Sequence, residues 1–385
     1  MVSLLTRCWW RSGDALNEYV CVEQDSEVQV GDADISALIT SPRMRVLREL
    51  ERLAVVAEDG RGLEEARRKL VDYRCGDFWV PTGGLTKEEM DIPQANTILL
   101  VGLKGSGKSS LVNLMYSVLG RSGIIPFARI CSGKSGEPAT TMYLEEHNVA
   151  RSQKGGFCVF DSRGLERTQL HVGLEELLEW MIDGVRHNQP CTRPGDPPTG
   201  DDEDHGGISS PRTCSRFVTR NVNCVVVVVD MAEAYKGIVS DNWKQIEALK
   251  EIFTCPPIRN LSERPLVVLT HGDKLLPRER IDGRIKICEA LGVTESSGAY
   301  DIPCLTEYGI LPEESDPVAA YAVAELVYRA LLTSDRTHMP RRDVKDWAWF
   351  ALSTALWLLS TIFRWLGDLC AGTGQGSKKK VRKYM

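Results

Sequence analysis

Residues 102–110 read GLKGSGKSS, after the apolar run NTILLV and before LVNLMYSVLG. The string fits G-x-x-x-x-G-K-[ST], a loop whose backbone N–H groups point inward around phosphate oxygens at a helix N-terminus. Gly102, Gly105 and Gly107 permit the turn and the close backbone approach, and Ser106 and Ser110 join them as expected nucleotide contacts. Lys108 would bridge the β- and γ-phosphates, and Ser109 would place its hydroxyl on Mg2+. Lys104 stands inside the loop, where its ammonium either approaches the γ-phosphate or faces solvent.

Three downstream stretches narrow the nucleotide. FCVFDSRG ends an apolar run with the D-x-x-G pattern Asp161–Gly164. Asp161 would reach the magnesium shell, usually through water, and the Gly164 N–H would contact the γ-phosphate; Arg163 between them is expected to face solvent. PLVVLTHGDKL places Thr270, His271, Gly272 and Asp273 at a strand end. A carboxylate there accepts from both N1–H and the 2-amino group of guanine, and adenine offers no such donor pair. His271 stands where small GTPases carry lysine, and its ring could stack on the base without the aliphatic stem. IPCLTEYG then occupies the place of the last base-contacting loop, with Leu305, Thr306 and Glu307 as candidates. Upstream, SGEPATTMY offers Thr140 and Thr141, of which Thr141 is favoured as the switch threonine that closes over the γ-phosphate and binds Mg2+. The candidate catalytic set is Lys108, Thr141, Gly164 and Lys104; the candidate metal set is Ser109, Thr141 and Asp161. GTP or GDP with Mg2+ is the expected ligand.

This order of motifs resembles the translation-factor-related P-loop GTPases. The T-H-x-D form is similar to the septin-like branch, which includes chloroplast-import receptor and immunity-associated GTPases. SPRMRVLRELERL, DFWVPTGG, EEMDIP, SSLVNLMYSVLGRSG, TTMYLEEHNV and DIPCLTEYG further resemble a land-plant family of P-loop NTPase proteins, over roughly residues 40–335. The resemblance implies a Ras-like fold and leaves the physiological role open. Many GTPases place a glutamine directly after the D-x-x-G glycine to orient water. Here that residue is Leu165, followed by Glu166, so slow intrinsic turnover is expected. Self-association across the nucleotide face, a homodimer as in septin-like relatives, would raise it.

The elements that must carry these motifs alternate. NTILLVG, GFCVFD, NCVVVVVD, PLVVLT and YDIPCLT read as strands, with MYLEEHNVA paired beside the second. SSLVNLMYSVLG, LEELLEWMIDGVRH, NWKQIEALKEIF, ERIDGRIKICEALG and PVAAYAVAELVYRALL read as helices. Unbroken β-branched runs such as Val225–Val229 are typical of strands buried on both faces, and the alternation predicts an α/β domain with a mainly parallel sheet between helices. That domain is expected over 93–335. Residues 1–38 are expected to be flexible, 39–92 to form a helical extension broken at Asp59–Gly60, and 188–215 to be a disordered Pro/Gly/Asp-rich insertion. Cys191, His205 and Cys214 in that insertion are too irregularly spaced to suggest a metal site.

A formal net charge of -6 argues against a dedicated nucleic-acid binder. Twelve cysteines without a C-x-x-C pair point to a reducing compartment, and Arg7 and Arg11 break up any signal-peptide core. Residues 347–363 carry no charge, whereas a membrane span needs about 17–25 apolar residues. A candidate anchor helix over 346–371, meeting the membrane through 347–366, therefore precedes the basic tail 372–385. A peripheral helix and a buried one remain open. The leading expectation is a guanine-nucleotide switch or slow GTPase tethered to a cytosol-facing membrane. A scaffold module with negligible hydrolysis and a P-loop ATPase or kinase are the alternatives.

Overall fold

The computed structural model of the chain describes residues 41–58, 60–81, 84–120, 128, 141–152, 155–194, 196, 217–261, 265–303, 316–341, 349 and 351–365. Two units are distinguished, one from residues up to 80 together with 92–338, the other from 81–91 together with 339–385.

The first unit is built on Asn96–Val101 (β1), buried at every position. Its neighbours are Phe157–Asp161 (β3) and Cys224–Asp230 (β5), both parallel to it. Leu266–Thr270 (β6) and Ala299–Asp301 (β7) continue the parallel run. Tyr143–His147 (β2) pairs antiparallel with β3, and Gln189–Pro190 (β4) antiparallel with β2. The sheet order is β4-β2-β3-β1-β5-β6-β7. This is the mainly parallel sheet between helices that the alternation of elements predicts.

Strand side chains alternate between two apolar layers, which explains the unbroken valine run. Ile98, Leu100, Val226 and Val228 join Leu111 and Met115 of Lys108–Gly120 (α3), and Val323 and Val327 of Pro317–Arg336 (α9). Leu99, Val101, Val225 and Val227 face Leu177 and Trp180 of Leu170–Asp183 (α4), Ile246 of Lys244–Thr254 (α6) and Ile287 of Pro277–Leu291 (α8). Met231–Val239 (α5) and Pro256–Leu261 (α7) are two short helices that the sequence reading passes over. The N-terminal pair, Pro42–Glu58 (α1) and Arg61–Asp72 (α2), belongs to the same unit. Val46 and Leu50 pack on Ile281, and Leu53 and Ala57 pack on Val318.

Residues 188–194 and Asp196 are part of this fold, which corrects the assignment of all of 188–215 to a disordered insertion. Asn188 N–H donates to Leu144 O and Cys191 N–H to Met142 O, both at 2.8 Å, holding β4 on the sheet edge. Residues 197–216, with His205 and Cys214, lie outside the described residues, as do 1–40 and 366–385. Burial pushes the Cys158, Cys191, Cys224 and Cys288 thiols up to about 12, so these residues pack as small hydrophobes.

In the second unit, Asp91 N–H donates to Met339 O at 2.9 Å and Arg341 N–H to Glu89 O at 2.7 Å. Residues 351–365 are helical and exposed throughout. Among the described residues no helix is long and apolar enough to cross a membrane.

A buried carboxylate ties three parts of the first unit together. Asp335 Oδ1 accepts from Tyr73 OH (2.7 Å), Asn96 Nδ2 (2.7 Å) and Gly76 N (2.9 Å), while Oδ2 accepts from Phe78 N (2.8 Å). His338 Nε2 lies 3.2 Å from Oδ1 and 3.6 Å from Cys75 Sγ. With Oδ1 engaged by three donors, the Cys75–Asp335–His338 group serves as a hydrogen-bonded hub. Burial acts to raise the Asp335 carboxyl, but the bonds from His338, Tyr73, Phe78 and Gly76 hold it below its ordinary value. A depressed carboxylate contributes stability above its unfolded-state pKa, and that contribution disappears as pH falls through the folded value. Asp335→Ala should strand several buried donors at about 1–3 kcal/mol each. We expect it to lower unfolding stability by about 3 kcal/mol or more and to flatten the acid limb of a stability–pH curve, both measurable by denaturant unfolding.

Candidate functional site

The site lies at the carboxyl ends of the parallel strands, where the β1–α3 turn, the residues after β3 and those after β6 converge. Gly105 and Gly107 adopt left-handed φ values of 81° and 89°, which the loop needs to curl. Lys108 opens α3, is 6% exposed, and donates to Gly102 O and Leu103 O at 3.2 Å each. Its ammonium thus lies folded across the mouth of the loop. Ser110 is half-buried in the first turn of the helix.

Ser109 Oγ donates to Asp161 Oδ2 at 2.5 Å. The other carboxylate oxygen, Oδ1, is buried with no hydrogen-bond partner among the described residues. Burial pushes the Asp161 carboxyl up from its ordinary value, against the Ser109 hydrogen bond and the Lys108 charge. An orphaned carboxylate oxygen beside a serine hydroxyl at a helix N-terminus fits a hydrated divalent cation, whose charge would reverse that upward push. Thr141 lies two residues before β2 and makes no hydrogen bond to Ser109 or Asp161. Thr140, Thr306 and Glu307 lie outside the described residues.

The D-x-x-G segment is fastened at each residue. Ser162 Oγ donates to Leu100 O (2.6 Å). Leu165 N–H donates to Gly102 O and Lys104 N–H to Leu165 O, both at 2.9 Å. A Cβ on Gly164 would come within 2.6 Å of Lys104 Cα and 3.2 Å of Lys108 Nζ, so only glycine lets the two loops meet. Leu165 is 2% exposed, with its side chain in the apolar layer beside Gly173.

Arg163 corrects an expectation: it is 3% exposed and does not face solvent. Its guanidinium forks onto Asp196 (2.5 and 2.8 Å) and donates to Cys191 O (2.7 Å). The hydrogen bond from Arg163 holds the Asp196 carboxyl below its ordinary value. Arg193 Nη1 donates to Gly164 O (2.8 Å), while its Nε and Nη2 reach Glu176 Oε2 (3.0 and 2.8 Å). Sequence reasoning missed Arg193, Asp196 and Glu176, and no spacing signal could have found them.

After β6, Thr270 Oγ1 donates to Ser106 O (2.7 Å) and lies 3.1 Å from Val229 O, so the base-side loop is laced to the phosphate loop. His271 takes a left-handed φ of 57°, and its Nδ1 lies 3.2 Å from Asp230 Oδ2. Nδ1 also lies 3.0 Å from Thr270 Oγ1, so the imidazole sits between Thr270 and Asp230, a neighbour the sequence reading did not name. Asp230 also caps α5 by accepting from Glu233 N, and an aspartate closing a valine strand before MAEAY was a legible N-cap signal. Gly272 lies against the buried Arg280–Asp301 ion pair, which buttresses the loop. Asp273 is exposed, and its carboxylate hydrogen-bonds to no described residue.

Thr270→Val keeps the β-branched shape but removes the donor to Ser106 O. We expect about 1–3 kcal/mol lower stability and faster amide exchange at residues 104–108, measured by mass spectrometry.

No family model matches the chain, and no curated protein matches it. Among solved structures it is similar to a probable GTP-binding protein engB, at 13% identity and a TM-score of 0.35 over 62% of this chain and 98% of that one. It is similar also to Toc33 from Arabidopsis thaliana in complex with GDP and Mg2+ (16% identity, TM-score 0.33, 68% of this chain and 95% of that one). A third is the signal recognition particle receptor SRb-GTP/SRX complex from Chaetomium thermophilum (12%, 0.24, 57% and 90%).

Proposed function

We propose that the chain binds a guanine nucleotide with Mg2+ and turns GTP over slowly. The observation that carries this reading is the Ser109–Asp161 hydrogen bond beside the curled loop, with Asp161 Oδ1 buried and unsatisfied. Mg2+, when bound, neutralises charge on the phosphates. Ser109 would hold it directly and Asp161 through water. The loop's backbone N–H groups and Lys108 would hold the phosphate oxygens. The Lys104 N–H is already committed to Leu165 O. The exposed Asp273 carboxylate is free of described hydrogen bonds and offers two acceptors to the N1–H and 2-amino donors of guanine.

Leu165 supports slow turnover. Its side chain is in the core and both its backbone groups are used, so nothing at this position can orient a water molecule. The same observation favours a second reading, in which nucleotide is a structural ligand and hydrolysis is negligible. Self-association across the nucleotide face, the property carried by the septin-like resemblance, would supply what Leu165 lacks. Single-turnover hydrolysis measured against protein concentration separates the cases: a rate rising with concentration supports assisted turnover, and no turnover at any concentration supports the structural ligand.

Replacing Asp273 with Asn should weaken guanosine-nucleotide binding about 10- to 100-fold and favour xanthosine nucleotides, because xanthine presents a carbonyl where guanine has its amino group. Equal binding of ATP and GTP by the wild type, with no change in the variant, would refute the guanine assignment.

Residues 351–365 support a membrane tether. Leu352, Leu356, Trp357, Leu359, Ile362 and Phe363 are all exposed on this helix, and the sequence that follows carries the basic run SKKKVRK. Apolar area plus cationic charge is the chemistry of attachment to an anionic bilayer facing the cytosol. Full-length protein should float with anionic vesicles, and a chain ending at residue 340 should stay in the dense fraction.

A further inference from the structure

The nucleotide reading leaves one buried network unused, the arginine pair behind the D-x-x-G turn. Two cations at 3% and 4% exposure are costly to bury, and each pairs with a carboxylate while also holding a backbone carbonyl. Arg193 grips the Gly164 carbonyl and is itself gripped by Glu176 of α4. Arg163 grips Asp196 and the Cys191 carbonyl. Asp196 Oδ2 also accepts from Arg193 N (2.6 Å), so the carboxylate that pairs with Arg163 also fixes the backbone of Arg193. The stretch that supplies Cys191, Arg193 and Asp196 is anchored by β4 to β2. Through one residue it reaches both sides of the site: Cys191 N–H donates to Met142 O, next to Thr141, and Cys191 O accepts from Arg163.

On the phosphate side the same turn is fastened by Ser162 to Leu100 O and by the two-way backbone pairing of Leu165 with Gly102 and Lys104. The Gly164–Leu165 peptide is thus fixed at both poles, its carbonyl on Arg193 and its N–H on Gly102 O. A D-x-x-G turn that reports the γ-phosphate by ordering must be loose without it. This one is tied at Ser162, Gly164 and Leu165 by bonds to other parts of the protein.

We infer that residues 189–194 together with Asp196 form a strap that holds the D-x-x-G turn in one place in both nucleotide states, with Arg163 and Arg193 as positioning residues. Gly164 then stands ready for a terminal phosphate and incurs no ordering cost when that phosphate arrives. The strap raises affinity for the triphosphate relative to the diphosphate, and it removes this turn as a nucleotide-dependent switch. The inference rests on the nucleotide reading above.

Hydrogen exchange of the full chain tests it, in nucleotide-free, GDP·Mg2+ and GTPγS·Mg2+ forms. Peptides covering 102–112 should gain protection from either nucleotide, and peptides covering 161–170 should exchange alike with GDP and with GTPγS. Arg193→Gln, and independently Asp196→Asn at the less buried end of the ring, should speed exchange of 161–170 about tenfold in the nucleotide-free protein. Each should also lower the affinity ratio of GTPγS to GDP by about tenfold, leaving GDP affinity within about twofold. A loss of structure alone would weaken both nucleotides equally. Unequal protection of 161–170 between GDP and GTPγS in the wild type overturns the strap, and so does unchanged exchange in both variants. No protection at 102–112 from either nucleotide overturns the nucleotide reading itself, and the two failures are read on different peptides.

Discussion

Strand β1 is buried along its whole length, so every peptide group in it must find a partner in β3 or β5. That requirement does not stop at the end of the strand. Gly102 O and Lys104 N–H, the first groups beyond β1, are paired with Leu165 as if the sheet continued for one more residue on each side. The phosphate loop and the D-x-x-G turn are therefore two ends of one backbone ladder. Their spacing is set by hydrogen-bond geometry, and the missing Cβ at Gly164 is what allows them to close.

From that ladder the remaining parts are hung by side chains that grip backbone. Thr270 takes the Ser106 carbonyl, Arg193 the Gly164 carbonyl, Arg163 the Cys191 carbonyl and Ser162 the Leu100 carbonyl. Such bonds hold loops that cannot form ladders of their own, and in a buried setting each unpaired carbonyl would be costly. The groups left over for chemistry stand out against this background. Asp161 Oδ1 has no partner among the described residues, Asp273 is exposed, and the Lys108 ammonium rests on carbonyls that phosphate oxygens could outcompete.

Leu165 connects this backbone arrangement to the slow turnover we propose. A glutamine at that position would have to leave its side chain in the open site, whereas Leu165 sends its own into the layer beneath α4 and leaves only its backbone on the nucleotide side. The same burial that anchors the D-x-x-G turn removes the group that elsewhere positions water.

How much of this was legible in the sequence follows from whether the signal is local. The strands were readable because two-sided burial demands apolar residues in succession, as in Val225–Val229. The phosphate loop was readable because left-handed turns demand glycine at fixed positions. Lys108, Ser109, Asp161, Thr270 and Asp273 could be named because each stands at a set distance from a strand end. The roles of Arg163, Arg193 and Asp196 were not readable. An arginine in a Pro/Gly-rich stretch looks solvated until the fold brings a carboxylate and a bare carbonyl to it across about thirty residues. His271 was legible as a departure from lysine, but its place beside Asp230 depends on two neighbouring strands that only the sheet register sets side by side. The sequence by itself determined which elements form and which residue types stand at their ends, because backbone conformation and burial periodicity act over a few residues. Only the tertiary structure decided which buried charges meet and which oxygens are left unpaired, because desolvation and pairing are settled between segments far apart in the chain.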